Sequence, residues 1–122
     1  MHIPFYQVDA FASRVFGGNP AAVCLLESWL PDAVLQAVAA ENNLSETAFL
    51  VQRAQGRYDL RWFTPEIEID LCGHATLASG FVIFSFIDPG LSRVDFATQS
   101  GPLSVARSGE LLSMDFPARK PV

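Results

Sequence analysis

The chain has 122 residues, of which 50% are hydrophobic and 17% are charged, with ten phenylalanines and a net charge of -5 at pH 7. This composition is typical of one globular domain with a substantial core and excludes intrinsic disorder. Nucleic-acid binding is not expected, because eight Lys and Arg residues against thirteen Asp and Glu residues offer no basic face to phosphates.

The cysteines and the apolar runs indicate in which cellular compartment the protein is expected to work. Cys24 and Cys72 lack the spacing of a zinc site or of a disulfide framework, so we expect neither a metal nor a disulfide. The first five residues lack the basic start and apolar stretch of a secretory signal. The longest apolar run is shorter than the roughly 20 residues that cross a bilayer. We therefore expect a cytoplasmic protein that contacts no membrane.

The first elements are two predicted strands joined by a tight turn. Residues 3–11 alternate well enough between the two faces of a sheet to predict the first strand. Residues 16–20 read Phe-Gly-Gly-Asn-Pro, which is typical of a turn leading into a strand at residues 21–26. The side-chain amide of Asn19 can either contact a ligand or satisfy its own turn.

An amphipathic helix is predicted next. Pro31 suits the first turn of a helix, and apolar residues follow at spacings of three and four as far as Ala40. The pair Asn42-Asn43 is expected to end the helix, because Asn tolerates the left-handed conformation found there. The apolar stripe should pack on the sheet.

Glu46 stands at the start of a hydrophobic strand predicted within residues 44–51. Of the five residues that follow it, only Thr47 is polar. Desolvation of a carboxyl group in such a place favours its neutral form, which suits it to take up and release a proton near neutrality. The alternative is an ordinary solvated glutamate at the end of a strand.

The stretch from Asp70 to Phe86 is the predicted centre of the fold. The body of this helix is apolar on every face, so we expect the sheet to enclose it on all sides. At its N-terminus the amides of Gly73, His74 and Ala75 have no partners within the helix and can bind a carboxylate or a phosphate. Alternatively, the small and polar residues there are only caps.

Further strands are predicted on both sides of the central helix, each bounded by turn residues. They cover residues 58–63 and 67–69 before the helix and residues 94–98, 103–107 and 111–116 after it. Strands that surround one buried helix form an α+β roll with a mostly antiparallel sheet, here a single domain over residues 1–122.

Five segments of the chain carry a family resemblance. They are Gln7-Val8-Asp9-Ala10-Phe11, Gly18-Asn19-Pro20-Ala21-Ala22-Val23, Glu41-Asn42-Asn43-Leu44-Ser45-Glu46-Thr47-Ala48-Phe49, Arg61-Trp62-Phe63-Thr64-Pro65 and Asp70-Leu71-Cys72-Gly73-His74-Ala75-Thr76. Together they resemble the N-terminal half of the PhzF-like isomerases of phenazine biosynthesis. The resemblance covers residues 3–86, and the later hairpins are compatible with it.

The resemblance implies a diaminopimelate-epimerase-like fold, in which two similar rolls face each other across a substrate cleft. It also implies cofactor-independent isomerisation of a small cyclic amino acid or a related carboxylate. In the phenazine enzyme, a glutamate of the Ser-Glu-Thr segment moves a proton between ring carbons of a dihydro-hydroxyanthranilate. Carried onto this chain, the resemblance makes Glu46 and His74 catalytic. It also implies that Gly73 and His74, together with the helix amides, hold the substrate. With the local arguments added, the predicted substrate-binding residues are Asn19, Cys72, Gly73, His74, Ala75 and Thr76.

Two other functions fit the same residues. A related thiol-dependent racemase or epimerase would use Cys72 as one of two catalytic thiols. A half-domain without catalytic activity would bind only small anions or a protein partner. Since members of the family carry a second half, we expect either a homodimer or a C-terminal half to complete the cleft.

Overall fold

The computed structural model of the chain describes residues 3–8, 20–70, 72–109 and 111–115. The strands are β1 (Phe5–Val8), β2 (Ala21–Leu26), β3 (Glu46–Ala54), β4 (Arg57–Phe63), β5 (Glu68–Ile69), β6 (Arg93–Thr98), β7 (Gly101–Ser108) and β8 (Leu111–Asp115). The helices are α1 (Asp32–Asn42) and α2 (Gly73–Val82), and α2 continues as a π-helical turn over Ile83–Ile87.

All of these strands belong to one mixed sheet. Its order is β1-β2-β3-β4-β6-β7-β8, with β5 paired to β4. Five of the seven described strand pairs are antiparallel, while β2 with β3 and β4 with β6 are parallel. Parallel neighbours need a crossover connection, which α1 supplies for the first pair and α2 for the second. The predicted α+β fold with a mostly antiparallel sheet is confirmed.

The sheet curls around α2. This helix contacts β1, β2 and β3 at one end of the sheet and β7 and β8 at the other end. A sheet can touch one helix with both of its ends only if it bends around that helix, so the strands form a half-barrel. Trp62, Phe84 and Phe96 are among the largest side chains buried in the core between sheet and helix.

One stripe of α2 is not enclosed, which corrects the expectation of burial on all sides. His74, Leu77 and Phe81 are only partly buried, and Phe86 is 60% exposed. Their spacing of three to five residues places them along one side of the helix. Tyr6 of the edge strand β1 stacks on Phe86 with ring centroids 5.2 Å apart. An apolar pattern on every face therefore did not mean that the sheet covers every face.

The helix α1 covers the opposite, convex face of the sheet. Its Leu35 and Ala39 are fully buried in a second core cluster that includes Phe63 of β4. Pro31 directly precedes the helix. Asn43 ends it in the left-handed conformation at φ 52°, and its N–H donates to the carbonyl oxygen of Ala39 over 3.2 Å. The predicted helix and both of its end signals are confirmed.

Several element boundaries differ from the predictions. The strand that begins at Glu46 runs to Ala54, three residues beyond the predicted end. The first strand is observed at Phe5–Val8, while residues 9–11 and the predicted turn at 16–19 lie outside the described residues, as does residue 116 at the end of the last predicted strand. Within the described part of the chain, no helix has the length and apolar character that a membrane crossing requires.

The tight packing of α2 against β7 at Gly80 generates a stability prediction. A Cβ atom at Gly80 would lie 2.7 Å from Cγ1 of Val105, a fully buried residue whose branched side chain has few alternative rotamers. Gly80→Ala is therefore expected to lower the free energy of unfolding by about 1–3 kcal/mol through overpacking, despite the better helix propensity of alanine. Urea denaturation followed by circular dichroism measures this change.

Two controls make the test specific. Gly90→Ala, in an exposed turn where the nearest atom would be 3.9 Å away, should change the free energy of unfolding by less than about 0.5 kcal/mol. When Val105→Ala is already present, the Gly80→Ala substitution should cost less, because both γ carbons are gone and only the contact with the Cβ of residue 105, at 3.0 Å, remains. An equal cost in both backgrounds would show that Val105 is not the cause.

Candidate active site

Glu46 is the first residue of β3 and is buried. It pairs with Ala21 in the parallel register of β2 and β3, and the five residues that follow it are also buried. Glu46 itself is 8% exposed. The interpretation of Glu46 as a solvated residue at a strand end is therefore wrong, and its carboxyl group has lost most of its contact with water.

The carboxyl group of Glu46 has a defined partner at the start of the central helix. His74 is the second residue of α2, and its Nε2 contacts Oε1 of Glu46. The His74 side chain is 24% exposed, so the contact lies at the border between the core and solvent. A carboxyl group and an imidazole in direct contact share a hydrogen bond.

Cys72 completes the cluster. It is the N-cap residue of α2, with an extended backbone at φ -144° and ψ 104°. Its Sγ lies 3.9 Å from each ring nitrogen of His74. One carboxylate oxygen, the sulfur and one ring nitrogen all lie within 4.8 Å of one another. We call Glu46, Cys72 and His74 the triad.

Burial dominates the ionisation of the Cys72 thiol. Desolvation raises its pKa from the ordinary value of 9.0 to about 12, and the neighbouring charge of Glu46 acts in the same direction. Hydrogen bonds from the backbone amides of Ala75 and His74 lower the pKa but do not offset the loss of water. The thiol is therefore protonated at neutral pH.

The N-terminus of α2 lies at the triad. The first backbone bond within the helix runs from the N–H of Thr76 to the carbonyl oxygen of Cys72 over 3.1 Å. The amides of Gly73, His74 and Ala75 precede it, at the end of the helix where the backbone dipoles place partial positive charge. This charge favours an anion beside the triad.

Thr76 stabilises the helix start from inside the core. Its hydroxyl donates to the carbonyl oxygen of Cys72 over 2.8 Å and accepts a hydrogen bond from Nε1 of Trp62 over 3.1 Å. Thr76 is fully buried, so the hydroxyl predicted to bind substrate is already used by the protein. Ala75 is also fully buried and offers the site only its backbone. Asn19 lies outside the described residues.

Two residues that shape the site were missed in the sequence. Trp62, which holds Thr76, belongs to the Arg-Trp-Phe-Thr-Pro segment, so its motif was a signal that could have found it. Met114 of β8 lies beside the first turn of α2, where a Cβ atom at Gly73 would be 3.2 Å from its Cε. No sequence pattern pointed to Met114, because β8 reaches α2 only through the curl of the sheet.

Two surface cavities among the described residues lie away from the triad. One surface cavity of about 550 Å³ is bounded by β3, β4, β6 and β7, and another of about 610 Å³ lies beside β1 and β2. Neither cavity is lined by a residue of the triad. The triad instead lies at the rim of the half-barrel, where α2 meets solvent.

Comparison with known proteins decides the family. The profile of the PhzC-PhzF family, described as "Phenazine biosynthesis-like protein", matches residues 8–122. The chain belongs to this family. An uncharacterized isomerase of Pseudomonas aeruginosa is 59% identical over 121 residues, which are 99% of this chain and 46% of that protein. The phenazine biosynthesis-like domain-containing protein 1 of Mus musculus is 46% identical over 124 residues, covering 96% of this chain and 43% of that protein.

Solved structures of the PhzF family have the same fold. The Enterococcus faecalis member superposes with a TM-score of 0.84 at 55% identity, covering 100% of this chain and 48% of that one. The Clostridium difficile member gives a TM-score of 0.85 at 53% identity, covering 99% and 46%. The chain therefore spans about half the length of the relatives that it matches, and the predicted resemblance to the N-terminal half of this family is confirmed.

The pKa of Cys72 generates a prediction of thiol reactivity. At pH 8 the native chain should react with iodoacetamide about 1000-fold more slowly than an exposed thiol of ordinary pKa, because the thiolate fraction falls tenfold for each pKa unit. Burial also raises the pKa of Cys24 to about 12, so neither thiol should label quickly. Mass spectrometry of timed samples measures the rate at each cysteine.

The variants Cys24→Ala and Glu46→Gln provide the controls. The Cys24→Ala variant has Cys72 as its one thiol. Its Cys72 should react with iodoacetamide as slowly as Cys72 of the native chain does. Glu46→Gln removes a charge that raises the pKa of Cys72, so labelling of Cys72 should become faster. Rapid labelling of Cys72 in the native chain near pH 7 would contradict a protonated thiol.

Proposed function

We propose that this chain is one half of a cofactor-independent isomerase that moves a proton between carbons of a small cyclic amino acid or a related carboxylate. In this proposal Glu46 carries the proton. The observation that supports it most directly is the buried contact between Glu46 and His74 at the N-terminus of α2. Membership of a family whose relatives are named isomerases agrees with this reaction type.

Glu46 would act first as a base and then as an acid. As a carboxylate it takes a proton from one carbon, and the electron pair left behind spreads into the unsaturated system of the substrate. As a carboxylic acid it then returns the proton to a second carbon, which restores the carboxylate. Burial suits this role because Glu46 is only 8% exposed, so bulk water has little access to the proton that it would carry between the two carbons.

His74 and the start of α2 would stabilise the negative charge. The imidazole of His74 can donate a hydrogen bond to charge that develops during proton transfer. The partial positive charge at the N-terminus of α2 can attract the carboxylate of the substrate without any basic side chain. This arrangement explains how a chain with a net charge of -5 could bind an acidic substrate.

The thiol-dependent alternative has less support. An epimerase that uses Cys72 needs a thiolate near neutral pH, whereas burial raises the pKa of this thiol to about 12. The remaining alternative is a half-domain that binds small anions or a partner without catalysis. It predicts binding of a carboxylate with no transfer of hydrogen.

The other wall of the substrate cleft would come from a second roll. This chain covers 46% of the Pseudomonas aeruginosa isomerase, which leaves room in that protein for another unit of similar length. We propose that the isolated chain forms a homodimer in place of the second half. We place the reaction in the cytoplasm, where the two buried cysteines, Cys24 and Cys72, remain free thiols.

Exchange of hydrogen with deuterated water tests the proposed chemistry. The first probe is a dihydro-hydroxyanthranilate, followed by a panel of cyclic amino acids, and mass spectrometry detects deuterium in the recovered compound. Glu46→Gln should reduce exchange by at least about 100-fold, because it removes the only proposed acid and base. Cys72→Ala should retain most of the exchange.

A fusion protein distinguishes a chain without catalytic groups from a chain whose substrate cleft is incomplete. The chain is assayed alone and as a fusion to the C-terminal half of the Pseudomonas aeruginosa isomerase. Exchange by the fusion that survives Glu46→Gln but is lost in Cys72→Ala would favour the thiol mechanism. Binding of the probes with no exchange in either form would favour a non-catalytic half-domain.

Light scattering tests the proposed homodimer. At micromolar concentration we expect a particle of twice the chain mass of 13.3 kDa, because a second copy would cover the apolar stripe left open on α2. Phe86→Ser, on this exposed stripe, should weaken the dimer, whereas Val34→Ser on the exposed side of α1 should not. A monomer of 13.3 kDa would rule out the homodimer and leave a C-terminal half as the source of the wall.

A further inference from the structure

We propose that the triad of Glu46, Cys72 and His74 is also a binding site for a single Zn²⁺ ion. The inference goes beyond the proposed isomerisation and does not depend on it, because it rests on the geometry and the donor atoms of the three side chains. Each residue offers one ligand atom, and these atoms lie within 4.8 Å of one another.

The donor atoms favour zinc over other common ions. Glu46 offers a carboxylate oxygen, Cys72 a sulfur and His74 an imidazole nitrogen, which are the three ligand types that zinc uses in proteins. Magnesium and calcium prefer oxygen ligands only, whereas a thiolate selects softer ions. Three protein ligands with a fourth position left for water or an anion form the usual arrangement of an open zinc site.

Small movements of the three side chains would give the distances that zinc requires. Ligand atoms around tetrahedral zinc are separated by about 3.3–3.6 Å, given bonds of about 2.0–2.3 Å. Sγ of Cys72 is 3.9 Å from both ring nitrogens of His74, so an ion can bridge the sulfur and Nε2 once the imidazole turns and its lone pair points at the ion. The carboxyl group of Glu46 contacts the imidazole directly, and the ion would insert between these two groups. Binding releases the thiol proton of Cys72 to solvent.

The surroundings hold the ligands in place and allow an ion to enter. The carbonyl oxygen of Cys72 accepts hydrogen bonds from the N–H and the hydroxyl of Thr76, and Trp62 in turn holds that hydroxyl. These bonds fix the backbone of a ligand residue, as the hydrogen bonds around the ligands do in known metal sites. The His74 side chain is 24% exposed, which gives an ion a path from solvent.

No sequence motif predicted this metal site. Metal motifs combine ligands at short fixed spacings, whereas Glu46 comes from the start of β3 and joins Cys72 and His74 only in the folded chain. Zinc would occupy the carboxylate that must be free to take a proton. Zinc binding and proton transfer by Glu46 therefore exclude each other, and the ion acts as a reversible inhibitor of any chemistry that needs this carboxylate.

Titration of the 122-residue chain with ZnCl₂ in a calorimeter tests the proposal. We expect one ion per chain for the native sequence, and Cys72→Ser and Glu46→Gln should each weaken binding by at least about 10-fold. Cys24→Ala removes the other buried thiol and should leave the affinity unchanged. Thermal unfolding of each variant without metal shows whether the variant is folded.

Absorption with Co²⁺ gives a second, independent measurement. Cobalt bound to a thiolate has a charge-transfer band in the near ultraviolet, which we expect for the native chain and for Cys24→Ala. If Cys72→Ser does not fold, this band in Cys24→Ala still identifies Cys72 as the ligand. The proposal is overturned if the native chain binds no zinc, if Cys72→Ser keeps the native affinity, or if the band is absent from Cys24→Ala.

Discussion

The contact between Glu46 and His74 is the interaction on which the site depends. It forms because α2 packs on the sheet with its first turn at the start of β3. The hydrogen bonds of Thr76 to Cys72 and of Trp62 to Thr76 hold that first turn against β4. The position of one carboxyl group thus reflects the packing of the whole half-barrel.

Burial gives the triad two possible chemistries that compete for the same atoms. A desolvated carboxyl group is suited to proton transfer, while desolvation keeps the neighbouring thiol protonated. A soft metal ion would reverse the second effect, because it stabilises the thiolate directly. The carboxylate of Glu46 cannot serve a metal and a substrate proton at once, so the occupancy of the triad would decide which chemistry takes place.

One side of α2, which the sheet leaves uncovered, bears on how this chain compares in length with its relatives. Leu77, Phe81 and Phe86 leave apolar surface along one side of the helix, and exposed apolar surface favours contact with another protein surface. The chain spans about half the length of the relatives that it matches. The second unit proposed above would contact this surface and would close the site at the rim of the half-barrel.

The sequence by itself determined the features that depend on neighbouring residues. Pro31 and Asn43 marked the two ends of α1, and the alternation of short apolar runs marked most strands, because backbone preferences and side-chain periodicity act over a few residues. The five segments also identified the family. Tertiary structure alone decided that Glu46 is buried against His74, that the Thr76 hydroxyl faces Trp62, and that one side of α2 is open. These features depend on how distant segments pack, and a pattern of neighbouring residues does not encode which face of an apolar helix the sheet will leave uncovered.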